Sequence, residues 1–151
     1  MRPLIALSSL LIAISAYAEP PESIAGMTSA AQEFIASLSA DQREITLKPF
    51  DDEERTAFKP VPFPVVGLKY EDMSEDQIAL YHALLKTGLS AAGYAKASGI
   101  IELDDYLLSL EQARGRAPAF HGTRNYNIMI FGTPEPGGTW SWRTHGHHLY
   151  L

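Results

Sequence analysis

The spacing of apolar residues along this chain changes once, near residue 125. Before that point, apolar residues recur at intervals of three and four, which is typical of amphipathic helices; they include Ala31, Phe34, Leu38, Ile78, Tyr81, Leu84 and Leu85. After it, "NYNIMIFG" reads as a strand, and "TPEPGG" suits a hairpin turn. "TWSWRTHGHHLYL" reads as the returning strand, or as two short strands joined at Gly146. This order predicts an α+β fold in which N-terminal helices pack on a C-terminal antiparallel hairpin or small sheet.

Turn and cap signals divide the helical part. A first helix is predicted from near Thr28, and Ser39–Gln42 and Ser74–Gln77 each form a capping box that begins another. The helix after Ser74 should end at Gly88 or Gly93, and a last one should run from about residue 93 to 113. Residues 47–69 carry four prolines and should form an irregular arm across the helices.

The N-terminus predicts export. Arg2 precedes an apolar run, and Ala16 and Ala18 occupy the −3 and −1 positions of a cleavage site, so residues 1–18 read as a signal peptide. A membrane anchor would need about 20 apolar residues, and this run is shorter and broken by serines. Residues 19–26 then form a leader, residues 27–151 form one domain, and the protein is secreted or periplasmic.

Charge and cysteine content exclude several functions. The formal net charge of −6 disfavours nucleic acid, whose phosphates require a basic surface. It equally disfavours anionic membranes once the signal is removed. Because the chain has no cysteine, it lacks thiolate nucleophiles and cysteine-based zinc sites. A metal would have to rest on histidine, carboxylate or water.

Histidines are concentrated at the C-terminal end, where three of the five fall in the last seven residues. If the strand runs straight through Gly146, then His145 and His147 share one face and could bind a metal together. A bulge at Gly146 would let His148 join them. Zinc needs three or four protein ligands; the others could come from His121, Glu102, Asp104, Asp105 or the chain beyond Leu151. The alternative is a strand whose histidines make ordinary hydrogen bonds.

Other groupings carry weaker signals. The aromatic residues could form a ligand face for a sugar or peptide, or could be core; they are Trp140, Trp142, Tyr126 and Tyr150. Arg143 and Arg124 could clamp a carboxylate or lie at the surface. The carboxylates of 102–105 could be a catalytic pair or a solvated helix face. His82 is expected to be a packed, hydrogen-bonded histidine.

Three stretches together resemble an uncharacterised family, domain of unknown function 3500. They are "MTSAAQEFIASLSADQREITLKPFDDEERTAFKPVP", "GLKYEDMSEDQIALYHALLKTGLSAAGYAKASGIIELDDYL" and "YNIMIFGTPEPGGTWSWRTHGHHLYL", and they cover nearly all of residues 27–151. The last is similar to the family's "FGTP…W-x-W-R…GHH-L" block. The resemblance implies export but no reaction, because the family has no established activity. It also implies that this chain is the N-terminal half of a protein about twice as long.

Residue by residue, the resemblance places the family's Gly-His-His on Gly146, His147 and His148, and its arginine on Arg143. The sequence departs at His145, where an acidic residue is more usual, and at Tyr150, where a small polar one is. This shifts the expected metal ligands to His147 and His148, with partners from the absent half, which carries a further His-x-His element. The resulting hypothesis is a divalent transition-metal centre, hydrolytic or oxidative, with Arg143 as an anion contact or as a hydrogen-bond partner of a metal ligand. The alternative is a secreted binding module or structural domain that uses Trp140 and Trp142 as an aromatic face.

Overall fold

The α+β prediction is confirmed by the structure, a computed structural model that describes residues 21–58, 66–116, 122 and 125–151. Within them the helices are α1 (Pro21–Ser37), α2 (Ala40–Thr46), α3 (Glu75–Gly88) and α4 (Ala91–Ala113). The strands are β1 (Leu47–Lys48), β2 (Leu68–Lys69), β3 (Asn127–Gly132), β4 (Trp140–Gly146) and β5 (Leu149–Tyr150). The predicted signal peptide lies outside the described residues, and so do residues 59–65, which hold three of the four prolines of the proline-rich stretch. None of the helices described is long and apolar enough to cross a membrane.

The helix starts follow the cap signals except at α1. Both capping boxes form, with the Ser39 and Ser74 side chains accepting from the backbone N–H three residues on and the glutamines bonding back. By contrast, α1 begins at Pro21, seven residues before the predicted Thr28. Proline suits the first turn of a helix, but this turn leaves Ile24 half exposed and so gives no apolar stripe. The proposed leader thus contains helical residues, and its role in the mature protein stays a prediction.

β3 is the centre of the sheet. It pairs antiparallel with β4, from Asn127 opposite His145 to Gly132 opposite Trp140. On its other edge it pairs parallel with β1 and antiparallel with β2. β5 continues the sheet beyond β4. β1 and β2 both pair with the same edge of β3, one parallel and the other antiparallel, so the sheet is mixed.

The main core lies between the helices and one face of the sheet. Its fully buried members come from α1, α3, β2 and β3; they include Phe34, Leu68, Tyr81, Leu84, Leu85, Ile128 and Ile130. Trp142 reaches the same layer, where a Cβ on Gly88 would lie 2.6 Å from its ring. The Tyr81 and Thr144 hydroxyls, 2.8 Å apart, join α3 to β4 inside this layer. These contacts with α3 determine which residues of β4 face the helices and which face the other side of the sheet.

The opposite face of the sheet carries the polar residues Arg143 and His145 beside the buried apolar residues Met129 and Phe131. The arm, here residues 49–58, packs against this face. Arg143 is 6% exposed and donates to the carbonyl oxygens of Glu54 and Ala57. It also lies 3.2 Å from a carboxylate oxygen of Glu54. The expectation that the arm crosses the helices is therefore wrong for this described part. The guanidinium on the second face of the sheet needs acceptors, and the arm supplies them.

The last strand does not run straight through Gly146. β4 ends there, His147 and His148 form a two-residue turn, and β5 pairs back along β4. A Cβ at Gly146 would lie 2.5 Å from the Tyr126 ring, so the glycine serves close packing and not a bulge. The turn carries both histidines out of the strand and towards α4.

Candidate histidine–carboxylate site

Asp104 and His147 form a buried pair at the junction of α4 and the β4–β5 turn. Asp104 is 4% exposed, and its Oδ1 accepts from His147 Nδ1 at 2.8 Å. Its Oδ2 accepts from the backbone N–H of Gly122 at 2.9 Å. Because a carboxylate only accepts, this contact requires a proton on Nδ1 of His147, and in that neutral tautomer the lone pair is on Nε2.

Tyr126 fixes the backbone of the same turn. Its hydroxyl donates to the carbonyl oxygen of His147 at 2.7 Å, and its ring packs beneath Gly146. Burial, with the nearby Asp104 charge as a smaller cause, raises the pKa of Tyr126, so the phenol stays protonated and keeps donating. His147 is therefore held at both its ring and its main chain.

His148 stands beside His147 in a strained conformation. Its φ is 59°, the one positive φ of a non-glycine residue in the described part of the chain. The two imidazole rings have their centroids 3.9 Å apart and are tilted by 33°. The ring of His148 faces outward, while that of His147 is half-buried. Strained residues of this kind concentrate at functional sites.

A shallow pocket opens beside the two histidines. Its volume is about 170 Å³, and it is lined by Ile100, Leu103, Asp104, Leu107, His147 and His148. Its walls are therefore the outer face of α4 on one side and the imidazoles on the other. The site joins an apolar surface to a carboxylate–imidazole pair.

His145 is separated from this site by the turn. Its ring stacks on Tyr150 with centroids 5.0 Å apart, and its Nδ1 lies 3.2 Å from Arg143. Arg143 and His145 do share a face, as the alternation predicted, but that face lies beneath the arm. The structure thus brings His147 and His148 together and leaves His145 and Arg143 in a different environment.

The aromatic candidates also divide between the two faces. Trp140 and Trp142 are partly buried against the main core, and the Trp142 indole N–H lies 3.4 Å from the sulfur of Met27. Tyr150 lies on the arm face, against His145 and Phe58. Tyr126 is fully buried. These rings do not form one continuous ligand face.

The structure does not gather the remaining candidate residues at the Asp104–His147 pair. Glu102 and Asp105 are exposed on α4, so only Asp104 of the three carboxylates is buried at the site. His82 fits the packed role expected of it, with its nitrogens 2.9 Å and 3.2 Å from the hydroxyls of Tyr70 and Tyr94. His121 and Arg124 lie outside the described residues.

The described residues do not by themselves supply a complete metal site. Among them, no group of three or more histidine, aspartate or glutamate side chains is placed to hold an ion. A histidine that donates to a carboxylate is nevertheless oriented and made more basic for metal binding through its other nitrogen. The same pair can hold and transfer a proton. The arrangement is thus suited to either chemistry.

Sequence reasoning named Asp104 only as one of several carboxylates. A signal that singles it out is the spacing of the buried positions on α4, Ala97, Ile101 and Asp104. A carboxylate at this place in an apolar stripe must find a partner, because an unpaired buried charge is costly. The partners, Gly122 and His147, are too distant in sequence for periodicity to reveal.

Comparisons with known proteins give one match. The family model described as "Protein of unknown function (DUF3500)" matches residues 21–151. Neither the curated proteins nor the solved structures include a match to this chain.

Proposed function

The chain belongs to the DUF3500 family, and from this premise we propose that it is an exported protein that binds a divalent transition metal at the His147–His148 turn. The observation that carries the proposal is the buried Asp104 carboxylate, which accepts from His147 Nδ1 at 2.8 Å. Carboxylate–histidine pairs of this geometry are common around protein-bound metals. In this proposal His147 binds through Nε2, His148 is the second ligand and Asp104 orients the first.

Two imidazoles leave coordination positions to be filled. Structural zinc sites use four protein ligands, and catalytic ones use three with an open position for water or substrate. His121 is the further histidine of this sequence nearest in the chain to Gly122, which touches Asp104. We propose that His121, or a further stretch of a longer protein, completes the set. A metal with an open position would polarise a substrate or lower the pKa of bound water, which supports hydrolytic or oxidative chemistry.

Metal stoichiometry and affinity test this proposal. Wild-type protein loaded with Zn²⁺ and then desalted should retain about one equivalent, as expected for one mononuclear site, and His147→Ala should retain none. Asp104→Asn should bind about 10–100-fold more weakly, because outer-shell partners have effects of that size. Glu102→Gln is the matched control, since it removes an exposed carboxylate from the same helix and should leave the affinity unchanged. Wild-type protein without bound metal after supplementation would refute the proposal.

A second candidate function is proton transfer without a metal. It is favoured by the 2.8 Å hydrogen bond from His147 Nδ1 to the buried Asp104 carboxylate, which orients the ring without any further ligand. The Asp104–His147 pair matches a base oriented by a carboxylate, in which the imidazole accepts a proton from a nucleophile or water. Turnover of an ester substrate that survives a chelator but is lost in His147→Ala would favour this candidate. Turnover abolished by the chelator and restored by Zn²⁺ would favour the metal.

Export is the remaining part of the proposal. It rests on the basic, apolar and small-residue pattern of residues 1–18. When the chain is expressed with this segment in a bacterium, the mature product should be recovered outside the cytoplasm with Glu19 as its first residue. N-terminal sequencing measures this directly. An Ala16→Asp, Ala18→Asp variant should stay unprocessed.

A further inference from the structure

We propose that the pocket beside His147 and His148 binds a small ligand with two parts: a benzene-sized apolar group and a carboxylate-type oxygen head. The inference rests on the proposed function in one respect, because it takes the two histidines as the end that holds the oxygen head. The apolar part of the argument depends only on α4. The metal site and the apolar pocket can therefore be refuted separately.

The walls of the pocket determine the apolar part. On α4, Ile100, Leu103 and Leu107 recur at three- and four-residue intervals and line one side. Leu103 is 66% exposed, although a helix normally turns its leucines inward. Asp104, the carboxylate that lines the pocket, is turned towards His147 and Gly122. An apolar group can therefore cover this wall without displacing a polar contact of the protein.

The size of the pocket limits what it can hold. Pockets for drug-sized ligands usually measure about 300–1,000 Å³, whereas this one measures about 170 Å³. A cavity of about 150 Å³ lined by aliphatic side chains binds benzene. The volume of the pocket therefore matches a single ring or a short branched chain.

The imidazoles determine the polar part. His147 and His148 line the pocket beside the aliphatic side chains of α4, and their ring nitrogens can meet an oxygen head as hydrogen-bond donors or through a metal bound to both. A carboxylate is a suitable head in either case. Aromatic or short branched monocarboxylates, and substrates that present such a group, are the resulting ligand class.

Benzoate and acetate are matched probes, because they share the head and differ by the ring. In NMR titrations of the Zn²⁺-loaded and metal-free protein, benzoate should shift the methyl signals of Ile100, Leu103 and Leu107. It should bind at least about tenfold more tightly than acetate, since even small apolar groups in a pocket contribute that much. Leu103→Gln should abolish the preference. Tyr106→Gln, which replaces an exposed ring of the same helix that does not line the pocket, should retain it.

The outcomes separate the two proposals. Equal binding of benzoate and acetate, or a preference that survives Leu103→Gln, would overturn the apolar pocket and leave the metal site standing. A benzoate preference that depends on Leu103, in a protein that binds no Zn²⁺, would support the pocket and refute the metal site. Zn²⁺ affinity equal in wild type and Leu103→Gln would confirm that the substitution acts on the pocket alone.

Discussion

At the scale of single residues, the site contains one side chain where glycine would be the easier choice. His148 has a φ of 59° in the turn between β4 and β5. The left-handed conformation costs an ordinary residue about 1–2 kcal/mol, and turns of this kind usually carry glycine or asparagine. The imidazole at this position is therefore retained against a local conformational cost, which is consistent with use of its ring.

Replacement of His148 tests that interpretation. His148→Gly should raise the free energy of unfolding by up to about 1 kcal/mol, because the relieved strain exceeds the extra entropy of the unfolded chain. It should also weaken Zn²⁺ binding. His148→Val, with a β-branched side chain in the same conformation, should lower stability. Urea denaturation and Zn²⁺ titration measure the two effects. Full Zn²⁺ affinity in His148→Gly would remove this residue from the ligand set.

At the scale of helices and strands, sequence patterns predicted the boundaries that depend on contacts between residues close together in the chain. The two serine–glutamine boxes located the starts of α2 and α3. Of the two glycines predicted as alternative ends of α3, Gly88 is its last residue. The start of α1 was predicted too late because Ile24 is half exposed and adds no position to the apolar stripe of the helix. The sequence could not distinguish a turn between β4 and β5 from a straight strand, because Gly146 is compatible with both. The contact of Gly146 with the Tyr126 ring, which distinguishes them, is visible only in the structure.

The contact between α3 and α4 depends on a neutral histidine. Burial, and next the charge of Lys86, lowers the pKa of His82 below its ordinary 6.5, against a smaller opposing effect of Glu102. As pH falls below 6.5, the unfolded chain takes up this proton before the folded one does. His82 therefore contributes stability that is present above pH 6.5 and is lost as pH falls from 6.5 to the lowered folded pKa.

Two variants measure this contribution. His82→Gln should lose less stability between pH 7.5 and 5.5 than the wild type, by urea denaturation at each pH. Lys86→Gln should raise the pKa of His82 in an NMR titration, because it removes the repelling charge. A wild-type slope that persists in His82→Gln would show that the pH dependence arises elsewhere.

At the scale of the whole molecule, the sheet connects two layers of different chemistry. Its helix face is an apolar core of the kind that periodicity predicts, whereas its other face carries the buried Arg143 and His145. The alternation of β4 predicted that these two share a face. It could not predict what covers them, because the arm comes from about ninety residues earlier, with Glu54 and Arg143 separated by 89 positions. The position of Asp104 beside His147 depends on the same kind of long-range packing.

The arm should be anchored mainly by its contact with Arg143. Glu54→Gln removes the charge opposite a guanidinium that is only 7% exposed, and should lower stability by about 1.5–3 kcal/mol, as for hydrogen bonds to charged groups. Glu53→Gln, next to it and exposed, should stay within about 0.5 kcal/mol of the wild type. Urea denaturation compares them. Equal stabilities of the two variants would show that the arm is held by other contacts.

The central claim is that Asp104 and His147 form the oriented half of a metal site, and the imidazole nitrogens of the wild-type protein report on it most directly. In ¹⁵N–¹H NMR spectra recorded during a Zn²⁺ titration, His147 should keep its proton on Nδ1 while its Nε2 signal moves to the metal-bound position, together with a ring nitrogen of His148. Asp104→Asn should weaken this response, and Glu102→Gln should not. Saturation with Zn²⁺ that leaves the His147 ring signals unmoved would contradict the account.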